Sequence, residues 1–450
     1  MSKNAELARR TFLKTAGLTA LAGVSGGEFP LNPVMAEAQT APFDFDTPLN
    51  RFGTDSVKYD RQVRRFGEGR IQFGMGVADM DFRTAPAIAT ALTDRMQQNF
   101  GYMDLPSSFA AAIVAWNKRR YGVDIDPDSL VFTTGVDSGL ITALKTFAPR
   151  GSKVLLNTPT YDGFFHDLEF TGNIPNQNPL TMKDDRYSIN FEDFERRIDR
   201  DTKVFILCNP QNPTGNCWSP DDLLRLGEIC LRHRVVVFAD EIHCDFVMKG
   251  NKYTPFASLP NKAVVNNSVT FKSGSKSFNI AALRCAWLYS TNPEYVARVK
   301  ANNYADLNSA GVIANRAAYT GGEAWLDACV TYIDANHDYV EQFVRANLPM
   351  VRMAKPQGTY LVWLDMTQVA NRIDAKKLAA DANKAQAASS KPLTDEDVIE
   401  RYLVTNAKIQ LNPGSLCGMA GFSHMRMNIA TSRKSLELAM ANLAAALQKA

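Results

Sequence analysis

Five short apolar runs, each ending in small or polar residues, constrain the fold of this chain more than any other feature. They occupy residues 130–134, 153–156, 204–207, 235–238 and 269–271. Helical patterns follow several of them. Continuous apolar strands that alternate with helices are typical of a parallel sheet covered on both faces. We therefore predict an α/β fold with a mostly parallel sheet.

A second, smaller unit is predicted after Gly321-Gly322, where the strand-loop pattern gives way to a long helical pattern over 324–347. Strand patterns at 360–365 and 425–429 then indicate an α+β arrangement. The stretch 371–397 is rich in Ala, Lys, Asp and Ser and poor in large apolar residues. It is predicted to be an exposed helical insertion or a loop.

Composition excludes two classes of partner. No apolar run approaches the roughly 20 residues that a membrane-spanning helix needs. The formal charge of +3 over 450 residues is spread along the chain, without a basic, aromatic-rich block typical of nucleic-acid binding. The seven cysteines show no zinc-site spacing, so we predict small buried side chains and no metal site. The sequence thus predicts a soluble protein.

The first 41 residues differ from the rest. The segment Ala-Arg-Arg-Thr-Phe-Leu-Lys at 8–14 precedes a short, weakly apolar stretch at 15–24, and small residues recur at Ala36, Ala38 and Ala41. This arrangement resembles a twin-arginine export signal and implies a periplasmic protein. A basic amphipathic helix at the terminus is the alternative interpretation.

Polar residues with chemical potential follow the apolar runs, at the strand ends where α/β sheets gather ligands. Residues 135–138 open a helix directly after a strand, as in an anion-binding nest. Asp240 ends an all-apolar strand, where a carboxylate needs a cationic partner. Lys276 follows two serines, and Arg426 interrupts an apolar strand, which predicts that it points into a cavity.

These are the parts that pyridoxal phosphate (PLP) chemistry requires. A lysine forms the Schiff base, and a carboxylate keeps the pyridine nitrogen protonated. Backbone amides, hydroxyls and an arginine hold the phosphate, and a second arginine binds the substrate carboxylate. Each motif alone is most simply a turn, a cap or a surface loop. Their joint order and spacing favour a PLP site.

Three motifs resemble the class I/II aminotransferase superfamily, PLP fold type I: Asn-Pro-Gln-Asn-Pro-Thr-Gly at 209–215, Asp-Glu-Ile-His at 240–243 and Ser-Gly-Ser-Lys-Ser-Phe-Asn-Ile-Ala at 273–281. Segments 51–60 and 77–82, together with His243, resemble its cystathionine β-lyase (C–S lyase) branch. The resemblance implies an N-terminal arm at 42–80 packed on the small domain. A large PLP-binding domain with a seven-stranded sheet at 81–325 and a small domain at 326–450 are also implied.

The resemblance also implies roles for single residues. Lys276 is expected to form the Schiff base, Asp240 to pair with the pyridine nitrogen, and Tyr161 to stack on the ring; these three are the expected catalytic residues. Asn212 is expected to hydrogen-bond the cofactor's 3-oxygen, and His243 is expected to be a further cofactor-binding residue. The expected phosphate ligands are Val136, Asp137, Ser273, Ser275, Arg284 and, from a second subunit of a homodimer, Tyr102.

Arg426 and Gly76 are the expected substrate-binding residues. Arg426 matches the arginine that binds the substrate's α-carboxylate. Gly76 stands where the branch usually has tryptophan, so an aromatic wall is missing and a larger substrate side chain is expected to fit.

The resemblance leaves the reaction open. The branch favours a C–S β-lyase that converts cystathionine or cysteine S-conjugates to pyruvate, ammonia and a thiol. Gly76 and Arg284 leave room for an aminotransferase of an L-amino acid and a 2-oxo acid, with racemase or other chemistry at Cα as a further alternative. A PLP-binding regulatory or interaction protein is the alternative of another class.

Overall fold

The strands of the computed structural model place most of the predicted site residues along one edge of the central sheet. The structure describes residues 43–183, 186–385 and 392–450. Within these, the strands are β1 (Phe73–Gly74), β2 (Val131–Thr133), β3 (Lys153–Thr158), β4 (Ile174–Pro179), β5 (Thr181–Lys183), β6 (Arg186–Ser188), β7 (Thr202–Cys208), β8 (Val236–Asp240), β9 (Ser268–Lys272), β10 (Ala286–Tyr289), β11 (Leu361–Asp365), β12 (Ile409–Gln410), β13 (Asn412–Pro413) and β14 (His424–Asn428). All five predicted apolar runs contain strands: β2, β3, β7, β8 and β9.

Helices precede, separate and follow these strands. They are α1 (Asp60–Phe66), α2 (Pro86–Met96), α3 (Ser107–Tyr121), α4 (Val136–Phe147), α5 (Asp162–Thr171), α6 (Phe191–Arg196), α7 (Pro220–Arg232), α8 (Lys262–Asn266), α9 (Gly274–Ser277), α10 (Pro293–Asn302), α11 (Ser309–Gly321), α12 (Glu323–Asn347), α13 (Thr367–Arg372), α14 (Ala375–Ala385), α15 (Asp395–Ala407) and α16 (Arg433–Leu447). The predicted helix at 324–347 corresponds to α12. None of the described helices is long and apolar enough to cross a membrane.

The central sheet has seven strands in the order β2-β10-β9-β8-β7-β3-β4. Neighbouring strands are parallel except at β10, which is antiparallel to both β2 and β9. The predicted mostly parallel α/β sheet is therefore confirmed. The carboxyl ends of β2, β3, β7, β8 and β9 consequently meet at one edge.

Both faces of this sheet are buried, as the continuous apolar strands predict. Val154 and Leu156 on β3 pack into the layer that contains Leu140 and Leu144 of α4. Leu155, between them, faces the opposite layer, which is built on α7. Each such side chain, fully buried, contributes roughly 1.5–3 kcal/mol of transfer free energy.

A second core surrounds the three-stranded sheet β11-β14-β13. This core also includes Phe73 and Met75, because β1 pairs in parallel with β12 and the Met75 N–H donates to the Gln410 carbonyl at 2.8 Å. Side chains of α12, α15 and α16 cover it. The predicted boundaries at 41/42, 80/81 and 325/326 stay predictions.

Two predicted features lie partly or wholly outside the described residues. The export signal falls within residues 1–42, and residues 386–391 of the predicted insertion are likewise not described. The described parts of the insertion contain α14 and the first turn of α15. The seven cysteines are all buried, as the sequence predicts, and none of them forms a disulfide bond.

Candidate active site

A cavity opens at the carboxyl edge of the central sheet. Its lining comprises Gly135, Val136, Asp137, Tyr161, Cys208, Asn212, Asp240, Ile242, His243, Ser275, Lys276, Ala281 and Arg284. Nine of the predicted site residues are among them. The strand-end positions are therefore brought together as the sequence predicts.

Lys276 lies on the one-turn helix α9, directly after β9. The Ser273 side chain caps this helix by accepting the Ser275 N–H at 3.0 Å. The Lys276 Nζ donates to the Ala78 carbonyl at 2.9 Å. Burial of the amine, and then the nearby Arg426 charge, lowers the pKa of Lys276 below its ordinary value of 10.5. More of the amine is therefore unprotonated near neutral pH than in an exposed lysine.

Asp240 ends the buried strand β8, where it pairs in register with Cys208 on β7 and Phe271 on β9. Its Oδ1 accepts the Ile242 N–H at 3.1 Å. No described lysine, arginine or histidine forms an ion pair with it. Burial therefore raises the pKa of Asp240 to about 7. A buried carboxylate in this position suits a cationic ligand.

Arg426 comes from the other sheet. It projects from β14 and is 4% exposed. Its Nη1 donates to the Asn212 Oδ1 at 3.2 Å, and its Nη2 donates to the Gly76 carbonyl at 3.0 Å. The Nε is buried and has no partner among the described residues. This donor remains available for a carboxylate ligand.

The turn from β2 into α4 exposes backbone amides to the cavity. Gly135 adopts φ of +128°, which an L-residue rarely adopts, and this allows the strand to turn directly into the helix. Val136 and Asp137 are the first two residues of α4, so their N–H groups have no intrahelical partner. Such a helix terminus favours an anion.

Two hydroxyls and a guanidinium lie near this terminus. Ser275 and Arg284 line the cavity. Ser273 does not, and its hydroxyl donates to the Cys285 carbonyl at 2.8 Å. The Ser273 and Ser275 hydroxyl oxygens are 2.7 Å apart. Ser273 thus contributes to the cavity indirectly: it caps α9, and it positions the Ser275 hydroxyl.

His243 and Tyr161 complete the walls. The Tyr161 ring packs edge-on against Phe164 at 5.4 Å. His243 is 2% exposed and packs against Tyr360 at 5.7 Å. Burial, with the charges of Lys276 and Arg426, holds the pKa of His243 well below 6.5. His243 is therefore a neutral wall of the cavity.

Four predicted residues are not part of the cavity lining: Ser273 and Arg426, described above, and Tyr102 and Gly76. Tyr102 is fully exposed. Gly76 contributes its carbonyl to Arg426, and a Cβ at this position would lie 2.5 Å from the Gln410 Oε1. The space beside Gly76 is thus occupied by the Gln410 side chain. A larger substrate fits there only if this side chain moves.

Sequence reasoning missed several contacts of the site. Ala78, 198 positions before Lys276, accepts the hydrogen bond of its amine. The Asn279 side chain forms two hydrogen bonds with the Met80 backbone, each at 2.8 Å: its Oδ1 accepts the Met80 N–H, and its Nδ2 donates to the Met80 carbonyl. The motifs at 77–82 and 273–281 contain these residues, but a motif does not reveal which backbone atoms meet.

Comparisons with known proteins agree with this geometry. The model of the family "Aminotransferase class I and II" matches residues 70–443. Cystathionine beta-lyase PatB of Bacillus subtilis is 37% identical over 410 residues, which cover 90% of this chain and all of the relative. Protein MalY of Escherichia coli is 30% identical over 419 residues, or 90% and 99% of the two chains.

Solved structures share the fold. Cystalysin from Treponema denticola, which contains a pyridoxal 5'-phosphate cofactor, superposes with a TM-score of 0.81 at 27% identity, covering 90% of this chain and 99% of that one. The PLP-bound C-S lyase from Staphylococcus hominis superposes with a TM-score of 0.80 at 28% identity, covering 91% of this chain and 99% of that one. The predicted fold type I architecture is confirmed, and this chain belongs to the class I and II aminotransferase family.

Proposed function

We propose that this protein is a PLP-dependent C–S β-lyase that cleaves cystathionine or cysteine S-conjugates to pyruvate, ammonia and a thiol. The observation that carries the proposal is the presence, in one cavity, of Lys276 and the buried Asp240, which forms no ion pair with a described residue. A relative 37% identical along its whole length is named a cystathionine beta-lyase, which favours the lyase among the reactions of the family.

The residues present fit the cofactor. The buried Asp240 carboxylate matches a protonated pyridine nitrogen, and the free N–H groups of Val136 and Asp137 match a phosphate. Asn212, Tyr161 and His243 provide further ring contacts in this assignment. PLP, when bound, supplies an electron sink for the negative charge that develops at the substrate Cα.

The chain's own residues then divide the work. Lys276 would hold the cofactor, and its free amine would remove the proton from the substrate Cα. Its lowered pKa favours the unprotonated amine that this step needs. Arg426 orients the substrate by gripping the α-carboxylate, assisted by Asn212.

We assign the phosphate ligands to Val136, Asp137, Ser275 and Arg284, with Ser273 positioning Ser275. Tyr102 is exposed on this protomer and is assigned to the cavity of a second copy in a homodimer. Residues 1–41 are assigned to twin-arginine export into the periplasm. This assignment is supported by the sequence at 8–14, the weakly apolar stretch at 15–24 and the small residues Ala36, Ala38 and Ala41.

The reaction is tested with cystathionine and the PLP-loaded protein, without a keto acid. We expect repeated turnover, with pyruvate and a thiol released in equal amounts. Lys276→Ala should abolish turnover and the visible absorption band of the cofactor-lysine adduct, because no other described lysine lines the cavity.

Two outcomes contradict the proposal. A single turnover that stops until a keto acid is added favours an aminotransferase instead. A protein without a visible band after PLP addition removes the cofactor assignment itself.

A further inference from the structure

A buried group of charges links the start of the described chain to segment 77–82. We call it the N-terminal ion cluster. Its members are Arg51, Lys58, Tyr59, Asp79 and Asp81. These residues belong to the two segments that resemble the lyase branch, and none of them lines the cavity.

Asp81 is the centre of the cluster and is 3% exposed. Its Oδ2 accepts from the Lys58 Nζ at 2.9 Å and from the Tyr59 hydroxyl at 3.0 Å. Its Oδ1 accepts from the Arg51 Nη1 at 3.1 Å. Lys58 is only 1% exposed, so both charges have lost nearly all contact with water.

The cluster also holds the neighbouring backbone. The Lys58 Nζ donates to the Asp79 carbonyl at 3.1 Å, and the Arg51 Nη1 donates to the Met80 carbonyl at 2.8 Å. The Asn428 side-chain amide donates to the Val77 carbonyl at 2.7 Å and to the Asp79 carbonyl at 2.5 Å. The backbone of segment 77–81 is therefore held by both the cluster and Asn428.

The carbonyl enclosed by these contacts belongs to Ala78. It accepts from the Lys276 Nζ and from the Tyr360 hydroxyl, each at 2.9 Å. Within the described residues, it is the hydrogen-bond partner of the Lys276 amine. Its position therefore decides the direction in which the free amine points.

We propose that the N-terminal ion cluster is a positioning device: it fixes the Ala78 carbonyl, which in turn holds the free amine of Lys276 for proton transfer. This inference rests on the proposed role of Lys276. Buried ion pairs often contribute little to net stability, because desolvation offsets their attraction. A role in positioning is consistent with a cluster placed one residue from the Lys276 contact.

The test uses the charge-balanced double variant Lys58→Met/Asp81→Asn, which removes one charge of each sign from the cluster. We expect kcat to fall by roughly 10- to 100-fold, as for a misplacement of about 1 Å, while KM changes less than about twofold. KM should change less than kcat because the variant leaves Arg426, the proposed ligand of the substrate carboxylate, in place.

A second readout does not depend on turnover. Acetic anhydride labels the Lys276 amine of the cofactor-free full chain, and mass spectrometry measures labelling against pH. Arg426, Asp79, Asp137, Asp240 and His243 face this amine and are not substituted in the variant. Asp79 loses its contact with Lys58 but keeps its ion pair with Arg51 at 3.0 Å. We expect the labelling midpoint to move to lower pH, because a lost acceptor no longer stabilises the ammonium form.

Asp193→Asn/Arg197→Met is the matched control. Asp193 is also buried and lies on α6, and it pairs with Arg197, the residue that follows this helix. Neither residue lines the cavity. It should lower the melting temperature but leave kcat and the Lys276 labelling profile unchanged. Should the cluster variant not fold, Tyr59→Phe, which removes one hydrogen bond to Asp81, carries the same two readouts with a smaller shift.

Wild-type kcat and wild-type labelling in the cluster variant, with a lowered melting temperature, would show a structural role only and overturn the proposal. A wild-type protein that releases no thiol from any S-conjugate contradicts the lyase instead. In that case the labelling shift still decides whether the cluster positions Lys276.

Discussion

Asp240 shows how one residue can serve binding at the expense of stability. Its carboxylate is buried without a cation, and burial raises its pKa from 3.8 to about 7. Because the folded-state pKa lies above the unfolded value, the folded form binds the proton more tightly between these values. The resulting stability is fully present below about pH 4 and is lost as pH rises through about 7.

Asp240→Asn should therefore make the cofactor-free protein more resistant to urea at high pH. A rise in the pKa from 3.8 to about 7 corresponds to about 4 kcal/mol. The free energy of unfolding of the variant, relative to wild type, should therefore increase by this amount from pH 4 to pH 8. Urea titrations of both proteins across this range measure it. The variant should at the same time bind PLP poorly, since the carboxylate no longer meets the pyridine nitrogen.

Asp193→Asn provides a contrast of opposite sign. Despite partial burial, hydrogen bonds and ion pairs with Arg197 and Arg196 lower the pKa of Asp193. The stabilisation that Asp193 contributes is present above the pKa of the unfolded chain and is lost as pH falls. The difference in free energy of unfolding between Asp193→Asn and wild type should therefore stay constant between pH 5 and pH 8. A flat difference for Asp240→Asn as well would contradict the assigned pKa.

At the scale of elements, the turn between β2 and α4 makes a helix terminus into a binding surface. Gly135 adopts φ of +128°, and no atom lies within 4 Å of the position of an added Cβ. The cost of a side chain here is therefore conformational, about 1–3 kcal/mol. Relief of that strain would rotate the amides of Val136 and Asp137.

Gly135→Ala should raise the dissociation constant for PLP by roughly tenfold or more, because several phosphate hydrogen bonds weaken together. Gly151→Ala is the matched control: φ is +87°, again with no atom near the Cβ position, but at the turn before β3, the opposite end of the sheet. Both variants should lose similar stability in urea, and Gly135→Ala alone should lose PLP affinity in an absorbance titration. Equal affinities would contradict the phosphate assignment.

Elements were also the level at which sequence predicted most. The runs before Asp240 and Lys276 predict strands because their burial on both faces leaves a continuous apolar pattern. Strand order follows from tertiary pairing, so the antiparallel β10 could not be read from its four residues. The contact between Ala78 and Lys276 depends on backbone atoms 198 positions apart, which carry no residue-type signal.

Gly76 illustrates a second limit. As a sequence feature it predicts free space, since the tryptophan expected from the branch is missing. In the structure, the Gln410 amide lies against Gly76, and its Nε2 donates to the Glu400 Oε1 at 2.9 Å. Residues more than 300 positions apart thus share one space, which only the folded chain reveals.

At the scale of the whole molecule, exposed apolar side chains lie close in the chain to Tyr102, the residue that we assigned above to a second copy. Met96, Phe100 and Tyr102 are 73%, 59% and 113% exposed. Met103 and Leu105 line a surface groove with residues 303 and 305–307. Exposed apolar side chains favour the proposed interface between subunits.

Mixing two inactive variants tests whether the site is shared between subunits. Lys276→Ala and a Tyr102 variant impaired in phosphate binding, such as Tyr102→Ala, should each be weak alone. After dissociation and reassociation, half of the dimers are hybrids with one native site each, so about a quarter of wild-type activity should return. No recovery, with hybrid dimers detected by mass spectrometry, would place Tyr102 outside the partner's site.

The seven buried cysteines have a consequence for how this molecule meets oxidants. Burial raises the pKa of Cys208, Cys230 and Cys244 above 9.0, so little thiolate is present to react. The folded protein should therefore react slowly with thiol reagents. Unfolding exposes all seven thiols at once, so their rate of labelling measures the unfolded fraction. Under oxidising conditions the exposed thiols can form non-native disulfide bonds.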